Sequence, residues 1–312
     1  MRIVSFLPAA TEIVCALGLA DRLVGVTHSC DFPESVVDSL PRVTQSLLPD
    51  DADAAAIDAA VRAAQAGGQP TFAVDIDRLR TLAPDIVLGQ GLCDACAPGQ
   101  ALLDDALAAL PNAPIRVDLS AATIDGVLET FRTVAAALGV PEAGAALVET
   151  TRTRWDAVRE GVATTEERPR TLLLEWPAPP FCAGHWNPEL LALAGATRAP
   201  WDAPGKPSRP VTAKEIADFA PEILILALCG FSGDRAEEEA MALSELDGFE
   251  SWPCFQNNEC YLVDGDAYIN RPGPRLAESA EILATILHPE TFTEMLPPHA
   301  VRLLTFVEEE EI

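Results

Sequence analysis

Short runs rich in Ile, Leu and Val recur along the first third of the chain. They fall near Ile3–Phe6, Leu23–Val26, Ile86–Leu88 and Ile115–Val117, and the stretches between them carry turn residues or helical spacing. Runs of Ile, Leu and Val without polar alternation read as parallel strands covered on both faces, which need helical crossovers between them. From Ala121 to Val162 the pattern changes: apolar residues return at helical spacing and no strand pattern appears. Gly139 and Pro141 divide this segment into a shorter and a longer helix, the latter about 30 Å long at 1.5 Å per residue. A second set of strands starts near Arg170 with "TLLLEW" and "EILILA", and the closing helix is "PRLAESAEILATILHPE".

Two segments repeat. "AVDIDRLRTLAPDIVLG" and "PVTAKEIADFAPEILILA" align at constant offset, pairing Val74, Leu79, Leu82, Pro84 and Asp85 with Val211, Ile216, Phe219, Pro221 and Glu222. Each predicts a short helix that starts at a polar cap, stops before a proline and passes into a buried strand. In the same order, "TEIVCALG" matches "PELLALAG", Glu12 and Gly18 falling on Glu189 and Gly195. The expected fold is therefore α/β, with two Rossmann-like lobes built on mainly parallel sheets and bridged by a long α-helix. The lobes span residues 1–120 and 166–312, the linking helical segment 121–165, and a ligand cleft is expected between the lobes.

Charge and composition narrow the partners. A net charge of −27 argues against a phosphate-binding surface, so nucleic acid is not an expected partner. A salt-adapted proteome and a coding bias both fit this acidity. No apolar stretch reads as a membrane span, and a monomer is expected. The N-terminal segment superficially resembles a secretion signal, but Glu12 interrupts its apolar stretch, "RIVSF" has the character of a strand, and the segment has its double later in the chain. It reads as mature structure. The expected location is cytoplasmic, or periplasmic or extracellular if a leader has been removed.

The loops expected beyond the strands collect unusual chemistry. "THSCDFP" carries His28, Cys30 and Asp31; "GQGLCDACAPGQ" carries Gln90, Cys93 and Cys96; "PAPPFCAGHWNPE" carries Cys182, His185 and Trp186 after Glu175 and Trp176. "LCGFSGD" adds Cys229 and Phe231, and "YLVDGDAYINRPGPR" adds Asp266, Tyr268, Asn270 and Arg271. Pro8, directly after the opening strand, joins the candidate binding set. Soft ligands, imidazoles and aromatics gathered at strand ends fit a bound group that needs metal coordination, stacking, or both. Cys93 and Cys96 read as half of a zinc site, a redox pair, part of a disulfide framework or bystanders. Cys15 reads as helix packing, and Cys254 and Cys260, flanking a turn, have no assigned role. Established catalytic motifs are missing: there is no phosphate loop, no GxSxG elbow and no dinucleotide fingerprint.

"RIVSFLPAATEIVCALGLADRLVGVTHSCDFP", "LRTLAPDIVLGQ", "AGHWNPELLALAG" and "NRPGPRLAESAEILATILHPE" together resemble the cobalamin-binding branch of the helical-backbone, class III periplasmic substrate-binding proteins. The resemblance covers nearly the whole chain. It implies two α/β lobes joined by a rigid helix, a ligand between them with modest closure, and an import ABC transporter permease as partner. The His28–Asp31 "HxCD" and Cys93–Ala97 "CxxCA" patterns are similar to a leaderless subgroup, for which a cytoplasmic carrier, sensor or storage role is expected.

On this reading the ligand is cobalamin, another corrinoid or a related metal-containing cofactor, and the protein is not an enzyme. Trp176, Trp186, Phe231 and Tyr268 would pack on its apolar faces. Asn270 and Arg271 would meet its polar edge, and His28 or a thiolate its metal. The alternative is direct binding of zinc or an iron–sulfur cluster by His28, Cys30, Cys93, Cys96, Cys182 and His185. A third reading is a cysteine-dependent enzyme with Cys30 or Cys93 as nucleophile near His28, and Asp31 and Glu175 orienting the base.

Overall fold

The structure, a computed structural model, describes residues 1–49, 51–91, 100–293, 296–297 and 299–306. Cys93 and Cys96 lie outside the described residues. The chain divides into two compact units, Met1–Thr151 with Pro272–Pro274, and Arg152–Arg271 with Arg275–Ile312.

In the first unit the elements run β1 (Ile3–Ser5), α1 (Pro8–Ala16), β2 (Leu23–Gly25), α2 (Glu34–Val37), β3 (Thr44–Ser46) and α3 (Ala54–Ala66). They continue with β4 (Phe72–Val74), α4 (Ile76–Leu82), β5 (Ile86–Gly89), α5 (Gln100–Ala108), β6 (Ile115–Asp118) and α6 (Ile124–Ala137). The sheet order is β2-β1-β5-β6, with every pair parallel. All four apolar runs picked out above are its strands. The central pair shows why they contain no polar alternation: every residue of β1 and β5 is buried, whereas the edge strand β6 exposes Ile115 and Asp118. Val4, Phe6, Val43, Leu79, Val87 and Leu103 form a core cluster around these strands. The N-terminal residues are thus a central strand, not a peripheral arm. A separate two-stranded antiparallel ribbon, β3–β4, pairs Thr44 with Val74 and Ser46 with Phe72. No alternation of apolar and polar residues marks β3, so this ribbon is not among the strands expected from the sequence.

Gly139, at φ +78°, ends the linking segment's first helix, and α7 (Pro141–Ala163) follows with proline at its first position. A proline there lacks an N–H the helix would leave unpaired in any case. At 23 residues α7 is about 35 Å long. The boundary between the units falls inside it, between Thr151 and Arg152.

The second unit contains β7 (Arg170–Pro177), β8 (Pro180–Cys182), α8 (Asn187–Leu193), β9 (Thr197–Arg198), α9 (Ala213–Phe219) and β10 (Ile223–Leu226). It ends with α10 (Gly233–Ala240), α11 (Pro253–Gln256), β11 (Cys260–Val263), α12 (Leu276–Leu287) and β12 (Val301–Leu303). Its sheet order is β12-β11-β10-β7-β8, with β9 also on β7. The pairs around β10 and the β7–β9 pair are parallel, while β8 and β12 are antiparallel additions. Leu172, Leu173 and Leu174 of β7 have no exposed surface, each contributing about 1.5–3 kcal/mol of burial. The C-terminal half of α7 is fastened to α12 within this unit. Trp155 Nε1 donates to the Leu276 carbonyl at 3.1 Å, and Arg154 forms a fork on Glu281 at 2.7 and 2.5 Å.

The internal repeat holds in detail. Helices α4 and α9 each have seven residues, and the side chains of Asp75 and Thr212 cap their N-termini. Each ends on an alanine in the left-handed region, Ala83 at φ 40° and Ala220 at φ 51°, immediately before proline. Likewise α1 and α8 end at Gly18 and Gly195, both with positive φ. A side chain in the left-handed region costs about 1–2 kcal/mol, which glycine avoids at some cost in unfolded-state entropy. Ala83→Gly and Ala220→Gly are each expected to stabilise the protein by about 0.5–1 kcal/mol, read from urea denaturation midpoints. A loss of stability in both variants would contradict this account of the two helix ends.

Candidate functional site

In parallel sheets the carboxyl ends of the strands are where loops meet ligands. In the second unit these ends are tied together by one carboxylate. Glu175, at the end of β7, is buried; its Oε1 accepts from the Gly184 N–H at 2.8 Å and from Asn187 Nδ2 at 2.8 Å. Its backbone carbonyl accepts from Cys229 N–H beyond β10. Asn187 Nδ2 also approaches Asn270 Oδ1 at 3.4 Å, and Asn270 Nδ2 donates to the Ala227 carbonyl at 2.7 Å. The end of β7 and the segments following β8, β10 and β11 thereby become one polar assembly. Two glycines permit the close approaches it needs. A Cβ on Gly184 would lie 2.2 Å from the Ser208 nitrogen, and one on Gly265 2.6 Å from the Leu228 carbonyl oxygen.

On this frame sit the aromatics. Trp176 is half-buried, its ring 5.2 Å from Phe231, with Nε1 donating to the Ala178 carbonyl. The Arg235 guanidinium lies 5.0 Å over the Phe231 ring and that of Arg275 5.5 Å over Tyr268. These are cation–π distances. Tyr268 belongs to a single π-helical turn, Gly265–Ile269, whose start is capped by Asp264. Asp266 accepts from the Gly230 N–H at 2.9 Å. Burial raises the pKa of the Tyr268 hydroxyl, with the Arg275 charge opposing. His185 is half-buried beside Trp186 at a ring separation of 5.7 Å, and its backbone is left-handed, φ 53°. Residues 205–206 brace that strained conformation, the His185 N–H donating to the Lys206 carbonyl at 2.6 Å and its carbonyl accepting from Gly205 at 2.9 Å. Burial lowers the imidazole pKa, with the Glu175 charge opposing, so His185 is neutral at pH 7.

Two predicted contact residues have internal work instead. Trp186 is 5% exposed and its Nε1 donates to the Ile269 carbonyl; the Asn270 amide spans Asn187 and Ala227. Arg271 is buried. Asn187, which sequence reasoning passed over, completes the assembly; its signal was an amide two residues beyond His185 at the first helical position of α8.

In the first unit Pro8, His28 and Gln90 follow β1, β2 and β5, again at the carboxyl ends of the strands. His28 is half-buried, with Nδ1 at 2.8 Å from Thr44 Oγ1 and its ring 5.6 Å from Phe72, so the unanticipated ribbon orients it. Gln90 is buried and Asp31 exposed. Cys30 is 1% exposed in a cluster with Val26 and Val37, its Sγ 3.1 Å from Thr11 Oγ1 on α1. In the second unit Cys182 is buried in the β7–β8 hairpin and burial pushes its thiol up to about 11; burial raises Cys229 as well. Thiols so placed are poor sources of thiolate at neutral pH. Among the described residues no group of three or more His, Cys, Asp or Glu is arranged to hold a metal ion.

The same architecture is found in known proteins. Residues 3–267 match the periplasmic binding protein family. The chain belongs to that family. A substrate-binding lipoprotein of an ABC transporter from Bacillus subtilis, itself uncharacterised, is 25% identical over 300 residues, covering 94% of this chain and 82% of the relative. The vitamin B12-binding protein of Vibrio cholerae is 24% identical over 292 residues, covering 92% and 88%. Among solved structures, the periplasmic haem-binding protein RhuT from Roseiflexus superposes with a TM-score of 0.71 at 21% identity, covering 93% of this chain and 98% of that one. The Vibrio cholerae vitamin B12-binding protein BtuF gives 0.64 at 22%, covering 92% and 96%. Among the described residues no helix of this periplasmic binding protein is long and apolar enough to cross a membrane.

One carboxyl in the second unit is set mainly by burial. Asp202 is 4% exposed, and burial pushes its pKa up to about 7 against the opposing charge of Arg198. Its unfolded value is near 4, so the unfolded state gives up its proton first and stability attributable to this group falls as pH rises from about 4 to 7. Asp202→Asn is expected to match the parent near pH 4 and to exceed it by about 1–3 kcal/mol at pH 8 in urea denaturation; equal stabilities at pH 8 would refute this. Glu175→Ala strands the Gly184 and Asn187 donors and should cost about 1–3 kcal/mol at pH 7 by the same measurement.

Proposed function

We propose that this chain is a non-enzymatic substrate-binding protein for a corrinoid or a related flat, metal-containing cofactor, and that it works with an ABC transporter permease. The observation that supports the reading is the aromatic set at the strand ends of the second unit. Trp176, Phe231 and Tyr268 sit on a polar frame whose Glu175 Oε1, Asn187 Nδ2 and Asn270 Nδ2 are engaged internally, which leaves apolar and π surface as the main contact chemistry. A rigid macrocycle is recognised through such faces at low entropic cost. The relatives named for binding vitamin B12 and haem, ligands of this chemical kind, support the same reading.

The roles divide accordingly. Trp176, Phe231, Tyr268 and His185 are the proposed contacts in the second unit; Pro8, His28, Asp31, Gln90 and, outside the described residues, Cys93 are the proposed contacts from the first. Trp186, Glu175, Asn187 and Asn270 hold the frame, and Arg271 is a candidate for the ligand's polar edge. A neutral His185 imidazole is competent to approach a metal held by the ligand itself.

The test is a titration of the purified full chain with cobalamin and, in parallel, with haemin, followed by visible absorbance and calorimetry. A saturable spectral shift with a Kd of about 1 μM or below is expected for at least one of them. Trp176→Ala should raise that Kd at least about tenfold while leaving the melting temperature within about 2 °C, because its ring is half-exposed and its loss opens no deep cavity. No shift and no heat with either macrocycle would remove the proposal.

A further inference from the structure

Asp202 is no part of the polar frame, yet it belongs to the segment that braces the site's left-handed histidine. Residues 199–210 run from β9 to α9 as a strap laid along the turn between β8 and α8. Backbone hydrogen bonds fasten the strap at successive points. The Cys182 N–H donates to the Arg209 carbonyl at 3.0 Å, the His185 N–H to the Lys206 carbonyl at 2.6 Å, and the Gly205 N–H to the His185 carbonyl at 2.9 Å. Between these points a Cβ on Gly184 would lie 2.8 Å from the Ser208 Cα and 3.0 Å from the Pro207 carbonyl carbon, so the two backbones run in direct contact. The conformation of His185, at φ 53°, therefore depends on the strap staying in place.

The start of the strap carries a carboxyl in an unusual position. The Asp202 N–H donates to the Ala199 carbonyl at 3.1 Å and Arg198 Nη1 to the Asp202 carbonyl at 2.9 Å, which fixes the backbone and leaves the residue 4% exposed. Both side-chain oxygens are enclosed, and among the described residues neither has a hydrogen-bond donor. The nearby arginines are committed elsewhere. Arg198 holds that backbone carbonyl, and Arg209, 5.9 Å over the Trp201 ring, donates to Glu215 of α9 and to the Pro210 carbonyl, both at 2.8 Å. An enclosed acid without donors is tolerated far better neutral than charged.

We infer that Asp202 is a positioning residue for His185: as a neutral acid it keeps the strap closed, and on losing its proton it loosens the strap, so that the candidate site grips its ligand less tightly as pH rises. The effect on the ligand rests on the proposed function; the loosening of the strap does not. The charges around the carboxyl agree in direction. Burial raises it to about 7; the Arg198 charge and the Ala199 N–H, which makes no hydrogen bond of ordinary geometry, oppose this, Glu175 of β7 adds to it and Arg209 opposes it. Cys182 of β8, itself raised to about 11, stays neutral throughout this range. Once the strap lifts, the carboxyl meets water and returns toward an ordinary value near 4. The lifted form is therefore favoured progressively from about pH 4 to about pH 7, with no further gain above.

The experiment measures amide hydrogen exchange of the full chain over residues 182–185 and 199–209 at pH 5 and pH 8, corrected for the intrinsic pH dependence of exchange. Protection is expected to fall at least about tenfold in wild type and less than about threefold in Asp202→Asn, which stays neutral at both values. In parallel, the Kd for cobalamin is expected to rise at least about fivefold between the two pH values in wild type and less than about twofold in the variant. Wild-type protection that is the same within twofold at pH 5 and pH 8 would overturn the inference, and that comparison needs no variant; an equal fall in Asp202→Asn would overturn it as well. A strap that loosens while the Kd stays constant would refute its hold on the site. No cobalamin binding at either pH would count against the proposed function instead, and exchange would then decide the role of Asp202 by itself.

Discussion

The candidate site depends on a buried carboxylate that cannot be left alone. A charged oxygen out of contact with water is costly unless donors surround it, and Glu175 meets that demand by drawing Gly184 and Asn187 onto the end of β7. Through Asn187 and Asn270 the same constraint reaches the ends of β10 and β11. Three loops that sequence separates by some forty residues each are thus held in one arrangement by hydrogen bonds, fully buried at Glu175 and part-buried at Asn270. The left-handed His185 and the close approach of Gly184 to Ser208 are tolerable because this assembly over-determines them.

The consequence for recognition is a separation of labour between polar and apolar groups. Polar side chains at the strand ends look inward and are largely consumed in holding backbone. The half-buried Trp176 and Tyr268 are left to present π surface, each with an aromatic or cationic neighbour that restrains its ring. On the proposed reading such a surface would suit a broad, rigid ligand better than a small polar one, since its contacts are area-dependent and lose little rotamer entropy.

The duplication within the chain has a physical signature beyond its letters. Both copies of the short helix end on an alanine forced into the left-handed region before proline, a conformation that neither residue type favours locally. That the two halves share a costly feature shows that the turn into the buried strand is set by packing of the strand, with local preference overridden. In the same way Pro84 and Pro221 stop the helix while the strands that follow, Ile86–Gly89 and Ile223–Leu226, are buried from their first residues.

The sequence by itself determined the parts that depend on short-range pattern. Buried strands follow from uninterrupted Ile, Leu and Val; helix ends follow from Asp75, Thr212, Gly139 and Pro141; the long helix follows from its spacing. The strand-end location of Trp176, His185, Phe231 and Tyr268 follows from those elements. What the tertiary structure alone decided is which groups meet. Nothing local marks β3 and β4 as partners, since the pairing of Thr44–Ser46 with Phe72–Val74 is a long-range register and not a pattern. Nor does local sequence say that Asn270 serves the frame or that Trp186 is enclosed. Burial and hydrogen-bond partnership are properties of the packed chain, and they set whether a polar residue faces a ligand or a neighbour.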